Sequence, residues 1–121
     1  MSDSVSVFFS AWQLDSADAR LEKIKSSVTA NVRYHDPRTP QTVEGIDALN
    51  DYVGMFSANA PGWTAKVVQS SSTAGITRAT VAFGGMGPDG KEMEQLGQYF
   101  VETEGDLISR MVGFVGIGAP E

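Results

Sequence analysis

An α+β fold is predicted for this chain, with helices in the first half and hairpin strands after them. Three patterns carry that reading. Apolar residues recur at helical spacing through Val28 and again from Gly45. From Trp63 onward the chain is rich in Val, Thr and aromatic residues, punctuated by glycine turns. Between the helical stretches lies one extended run, residues 30–36, closed by Pro37, which disfavours a helix at the residue before it.

Taken in order, Val5, Phe8, Phe9 and Trp12 mark a first helix, with Asp3 or Ser4 as its N-cap. Asp15-Ser16-Ala17-Asp18 resembles a capping box and opens a second helix with Ala17, Leu21, Ile24 and Val28 on one face. The strand over residues 30–36 follows. Residues 37–43 form a loop with two prolines, Pro37 and Pro40. Gly45 leads into a third helix whose buried stripe is Ile46, Leu49, Val53 and Phe56, with Tyr52 beside it. The turn Asn59-Ala60-Pro61-Gly62 ends that helix.

Strands are then expected over residues 63–70, 76–83, 92–102 and 107–115. Their connections are the polar residues 71–75, a wide glycine-rich turn at 84–90 and Thr103-Glu104-Gly105-Asp106. Three helices cannot cover both faces of a long sheet. A strongly curved sheet wrapped around one long helix solves this and leaves a pocket at its open end.

At 121 residues the chain fits a single domain, 1–121, large enough for a genuine core. Fifteen acidic against nine basic residues give a net charge of −6, which argues against a nucleic-acid or anionic-membrane partner. The absence of cysteine excludes thiolate chemistry, and a single histidine excludes a His/Cys metal site. No metal and no cofactor are expected. No basic region precedes an apolar stretch at the N-terminus, and no apolar run nears the ~20 residues that span a bilayer, so a cytoplasmic location is the default.

The chemistry-bearing feature is Tyr34-His35-Asp36-Pro37. Strand alternation puts Val32, Tyr34 and Asp36 on one face and Arg33 and His35 on the other. If the first face looks inward, desolvation penalises the charged carboxylate and makes Asp36 a candidate general base, a role worth ~10² to 10⁴ in rate. The competing reading is that an Asp before Pro caps a turn by accepting backbone amides. Tyr34 is either a donor to a ligand carbonyl or a core tyrosine with a satisfied hydroxyl. His35, on the opposite face, ranks below Asp36. Phe8, Phe9, Trp12, Tyr52, Phe56 and Trp63 are either core or the aromatic wall of a ligand pocket. Gln98 and Arg110 stand on strands that otherwise carry Leu96, Phe100, Val112 and Phe114. If either points inward it needs a partner. Arg110 pairing with a surface carboxylate is the commoner outcome. The turn at 84–90 lacks the Gly-Lys-Ser/Thr ending of a phosphate cradle.

The ordered set Trp12, Asp18, Tyr34-His35-Asp36-Pro37, Gly45-Ile46-Asp47-Ala48-Leu49, Tyr52, Pro61-Gly62, residues 104–110 and Gly113-Phe114 covers nearly the whole chain. It resembles the SnoaL-like branch of the nuclear transport factor 2-like superfamily. The resemblance implies a cone-shaped fold, three helices packed on a strongly curved, mixed and mostly antiparallel sheet, with a deep pocket. It also implies a homodimer formed through the sheet. In the related ketosteroid isomerases an aspartate preceding a proline is the general base, and Asp36 matches it. The isomerase's first-helix tyrosine is replaced by Phe8 or Phe9, and its second acid falls near Gln98. The final-strand acid of the similar limonene epoxide hydrolase falls near Val112.

What the resemblance implies is a protein that binds a small hydrophobic molecule, with isomerase- or polyketide cyclase-type proton transfer as its enzyme reading. In that reading Asp36 is the general base and Tyr34 and Gln98 are oxyanion donors. Phe9, Trp12, Tyr52, Phe56, Trp63 and Met111 line the ligand site. The alternative is a non-catalytic ligand-binding module or a dimerisation and protein-association module.

Overall fold

The computed structural model describes residues 4–14, 16–60, 62–87 and 89–116. The proposed caps Asp3 and Asp15 and the turn residues Pro61 and Pro88 lie outside the described residues. Helix α1 (Ser4–Ser10) runs on through a 3₁₀ turn at Ala11–Gln13. Then come α2 (Ala17–Ser27), β1 (Val28–His35), β2 (Val43–Glu44), α3 (Ile46–Asn59), β3 (Thr64–Thr73), β4 (Ile76–Met86), β5 (Glu92–Glu104) and β6 (Leu107–Val115). The six strands form one sheet in the order β2-β1-β6-β5-β4-β3. Only β1 and β6 run parallel; every other neighbouring pair is antiparallel.

The helices lie against one face of this sheet, and the alternation of each strand decides which side chains meet them. Val32 and Tyr34 of β1, Met111 of β6, and Tyr99 and Val101 of β5 turn inward. They pack on Phe8, Phe9 and Trp12 from the N-terminal segment and on Leu49 and Val53 of α3. The central strands are thereby covered on one side only, and Phe100 and Phe114 remain exposed on the other.

Several expected boundaries shift for local reasons. Val28 does not extend α2 but opens β1 in extended conformation, while Ser27 Oγ bonds back to the Lys23 and Ile24 carbonyls and closes the last helical turn. Ser16 caps α2 by accepting the Ala19 amide. The loop at 37–43 ends in the two-residue strand β2, too short to show any alternation. Residues 71–73 belong to β3, which leaves Ala74-Gly75 as the hairpin turn with φ of 54° and 80°. Positive φ at both central residues is what a tight hairpin twist demands. Gly84 and Gly85 belong to β4 rather than to a turn. A Cβ on Gly85 would lie 2.5 Å from Trp63, so the indole needs that gap in the strand.

One polar contact ties α2 to the preceding loop and to α3. Arg20, only 7% exposed, donates from Nε to Asn50 Oδ1 at 3.0 Å and from Nη1 to the Leu14 carbonyl at 3.0 Å. Gly54 makes room for it, since a Cβ there would meet Arg20 Nη2 at 2.6 Å. Replacing Arg20→Met fills similar space but removes the Nε donor to the buried Asn50 Oδ1 and the Nη1 bond to the Leu14 carbonyl. A loss of about 2 kcal/mol in unfolding free energy is expected, read as a lower urea midpoint with unchanged slope.

Candidate functional site

Asp36 follows the last residue of β1 and is 6% exposed. Its carboxylate does two things at once. Oδ1 caps the turn after Pro37, accepting the backbone N–H of Arg38 at 2.8 Å and of Thr39 at 3.2 Å. The Thr39 hydroxyl locks the same turn, donating to the Asp36 carbonyl at 3.0 Å and accepting the Asp36 N–H at 3.2 Å. Oδ2 faces inward and accepts the hydroxyls of Tyr34 and Tyr52, each at 2.6 Å. The turn-cap and buried-acid readings of Asp36 therefore describe two different oxygens of one residue.

The direction of the hydroxyl protons follows by elimination. A phenol has one proton, and a short bond to a carboxylate outweighs a long one to another phenol. Tyr34 gives its proton to Asp36 at 2.6 Å, so in its 3.4 Å contact with Tyr99 the latter is the donor. Tyr34 and Tyr52 thus donate to the carboxylate and Tyr99 to the Tyr34 hydroxyl, which joins all three tyrosines of the chain in one network. Four donors meet the roughly four lone-pair positions that an ionised carboxylate offers.

Desolvation raises the pKa of each phenol well above its ordinary value. For Tyr34 the charges of Tyr99 and Asp36 and the bonds to both add to that rise. For Tyr52 the hydrogen bond to Asp36 and its charge add to burial, and Arg38 pulls the other way. For Tyr99 burial is again the largest cause, the Asp36 charge adds to it, and Arg38 pulls the other way. Tyr99 can approach Tyr34 because its ring lies flat on its cross-strand partner Gly113, where a Cβ would stand 2.5 Å from Cε2.

A hollow opens beside this network in two lobes. The inner one, about 40 Å³, is bounded by Asp36, Pro37, Tyr99 and Gly97. The outer one, about 340 Å³, is walled by Tyr52, Met55, Phe56 and Trp63, with Asn59 at its edge. Trp12, Arg38, Phe83 and Gln95 border both lobes. Trp12 packs on Phe56 at 5.2 Å and on Phe83 at 5.6 Å between ring centroids, and Trp63 is pinned by its indole N–H to the Met86 carbonyl at 3.1 Å.

The structure sorts the residues singled out from the sequence. Asp36, Trp12, Tyr52, Phe56 and Trp63 come together around the hollow. Tyr34 sits behind Asp36 and borders neither lobe. Phe9 and Met111, each 1% exposed, are core residues beneath the network. Gln98 lies on the opposite sheet face from the hollow, in register with Thr80 and Phe114, because Gly97, Tyr99 and Val101 are the inward residues of β5. His35, also on the outer side, contacts Thr42 through Nδ1 at 3.2 Å. Arg110 pairs at the surface with Glu102 at 3.6 Å. Tyr99, Phe83, Arg38, Met55 and Gln95 were missed. The signal for Tyr99 was there, in the alternation Gly97-Tyr99-Val101, but apolar Leu96 and Phe100 on the other parity obscured it.

Three helices on a six-stranded mixed sheet define a cone-type α+β fold. The sequence pattern of the SnoaL-like domain matches residues 5–111, and the chain belongs to that family. No curated protein matches the sequence. Solved structures do. A proposed isomerase of the SnoaL-like family from Agrobacterium tumefaciens strain C58 superposes with a TM-score of 0.78 at 20% identity, covering 94% of this chain and 95% of that one. A hypothetical protein with a ketosteroid isomerase-like fold from Catenulispora acidiphila, solved with trimethylamine, gives 0.77 at 13% identity over 97% and 88%. A proposed SnoaL-like polyketide cyclase from Jannaschia sp. CCS1 gives 0.71 at 13% over 93% and 84%. At these identities the likeness is one of fold, and the nuclear transport factor 2-like cone is the fold shared.

The tyrosine network makes a pH prediction. In the unfolded chain the phenols ionise near pH 10.0, whereas the folded chain keeps them protonated well above it. Stability from this source is fully present below pH 10.0 and falls as pH rises past it, by about 1.4 kcal/mol per pH unit for each of Tyr34 and Tyr99. Absorbance titration of the native protein should show no tyrosinate until the fold is lost. Urea midpoints should drop between about pH 9 and about pH 11.

Proposed function

We propose that the hollow binds a small hydrophobic carbonyl compound and that Asp36 exchanges a proton with it, without a cofactor, as an isomerase or polyketide cyclase would. One observation carries this reading: a 6%-exposed carboxylate bonded to two phenols at 2.6 Å borders an aromatic-walled hollow. The similar structures of a proposed isomerase and a proposed polyketide cyclase favour the same chemistry.

The filled lone pairs of Asp36 dictate how the step runs. A carbon acid has no vacant position on the carboxylate until one donor leaves, and Tyr52 is the donor that also borders the outer lobe. As its hydroxyl turns away, the C–H proton next to the guest's carbonyl passes to Oδ2 and the electron pair moves onto the carbonyl oxygen. The negative charge has then left Asp36 for the guest, and the freed Tyr52 hydroxyl donates to that oxyanion. Returning the proton at the far carbon gives the isomerised product; attack of the enolate carbon on a second carbonyl gives a ring. Tyr52 takes the donor role that the sequence gave to Tyr34 and Gln98, and Tyr34 holds Asp36 from behind.

The assay is exchange of α-hydrogens for deuterium in a panel of cyclic and β,γ-unsaturated ketones, followed by mass spectrometry. Asp36→Asn should slow exchange by ~10² to 10⁴, and Tyr52→Phe by ~10² while leaving the fold intact. An Asp36→Asn protein that exchanges as fast as the wild type would end the enzyme reading.

A specific surface favours a second property. Phe100 and Phe114, 38% and 55% exposed, stack edge to face at 5.7 Å on the sheet face turned away from the helices. A large apolar pair on an uncovered sheet suits self-association. We assign this face to a homodimer. Sedimentation velocity should find a dimer that Phe114→Glu converts to monomer; a wild-type monomer at micromolar concentration rules it out.

A further inference from the structure

Arg38 stands where the proposed chemistry has no use for it, and it is placed with care. Its backbone N–H is fixed at 2.8 Å from Asp36 Oδ1, so the turn that sets the carboxylate also sets this residue two positions on. Its side chain borders both lobes of the hollow. The described ion pairs are Arg33 with Glu44 and Arg110 with Glu102, and neither uses Arg38. A chain carrying fifteen acidic residues thus leaves a guanidinium without a carboxylate partner, among the described residues, at the mouth of its apolar cavity.

Among the described residues the rest of the outer lobe's lining adds no charge. Gln95 and Asn59 are neutral amides, and the walls behind them are Tyr52, Phe56, Trp63 and Phe83. The Asp36 charge belongs to the inner lobe and already has four donors. A guest drawn to the outer lobe therefore meets one unsatisfied charge, a planar fork of donors suited to a carboxylate. At about 340 Å³ the cavity is at the small end for ligand sites, enough for a compact ring system rather than a long chain.

We propose that the cavity takes a small planar acid, its carboxylate clasped by Arg38 at the mouth and its ring body laid between Trp12, Phe56 and Trp63. This deepens the reading of the hollow as a ligand site by naming the guest's chemical class. It makes Arg38 a specificity residue: an acid held there presents the carbons beside its carboxylate-bearing ring toward Tyr52 and Asp36. Long-range repulsion from the net charge of −6 works against any anion, but it is screened beyond about 8 Å at physiological salt. The local contact therefore decides.

The test uses the full chain and three probes of one shape: 2-naphthoate, neutral 2-naphthamide and cationic 2-naphthylmethylammonium. Binding is measured by calorimetry and by shifts of the indole N–H signals of Trp12 and Trp63, the only two tryptophans. The naphthoate should bind about ten- to a hundredfold more tightly than the amide, the span expected for a hydrogen-bonded charge. Arg38→Gln should erase that difference by weakening the naphthoate far more than the amide. Equal binding of acid and amide, preference for the cation, no binding by any probe, or a preference that survives Arg38→Gln would each overturn the assignment. Separate measurements distinguish the two proposals: exchange of neutral ketones reads proton transfer at Asp36, and the ratio of naphthoate to naphthamide affinity reads Arg38, so failure of either leaves the other standing.

Discussion

The Asp36 carboxylate is the point on which the interior of this protein converges. A carboxylate taken out of water survives only when its lone pairs are met, and here two backbone amides and two phenols meet them. Those donors come from three separate places: the turn after β1, β1 itself and α3. The single side chain therefore fixes where the third helix sits relative to the first strand, and it orders Arg38 through the turn. Tyr99 extends the same network to β5. Structure and candidate chemistry share one set of bonds.

Glycine supplies the shape around that centre. Gly113 lets the Tyr99 ring lie flat across β6, and Gly85 does the same for Trp63 across β4. In each case the missing Cβ is what lets an aromatic ring approach the sheet backbone and become a wall of the interior. The sheet thus carries its aromatic lining by local omission rather than by bulk. These positions are as much a part of the site as the rings they admit, although neither carries chemistry of its own.

How far the site could be read from the sequence depended on parity. In β1 the alternation Val32-Tyr34-Asp36 was unambiguous, because Arg33 and His35 are plainly polar, and the structure buries the first three. The existence of the helices in the first half was also legible, although α2 buries Arg20, Ile24 and Ser27 rather than a stripe of Ala17, Leu21, Ile24 and Val28, and the mixed, mostly antiparallel sheet followed from the family resemblance. In β5 apolar residues stand on both parities, Leu96 and Phe100 outward and Tyr99 and Val101 inward, so periodicity could not choose between Gln98 and Tyr99. The two-residue β2 and the Ala74-Gly75 turn escaped because so few residues define them. Arg38 was invisible for a different reason: that a side chain borders a cavity and forms no ion pair is a fact of the assembled fold, not of spacing along the chain.

The parallel pairing of β1 with β6 has a consequence for biosynthesis. Tyr34 sits opposite Met111 in that pairing, so the strand that leads into Asp36 gains its inner neighbour only when the final strand arrives. During translation the strand bearing Tyr34 can pack on α2 and α3, but β2 is its one strand neighbour among the described residues until Leu107–Val115 has left the ribosome. Contacts between such distant parts of a chain form slowly. The four donors to Asp36 all lie within residues 34–52, so the final strand brings the acid cover rather than partners.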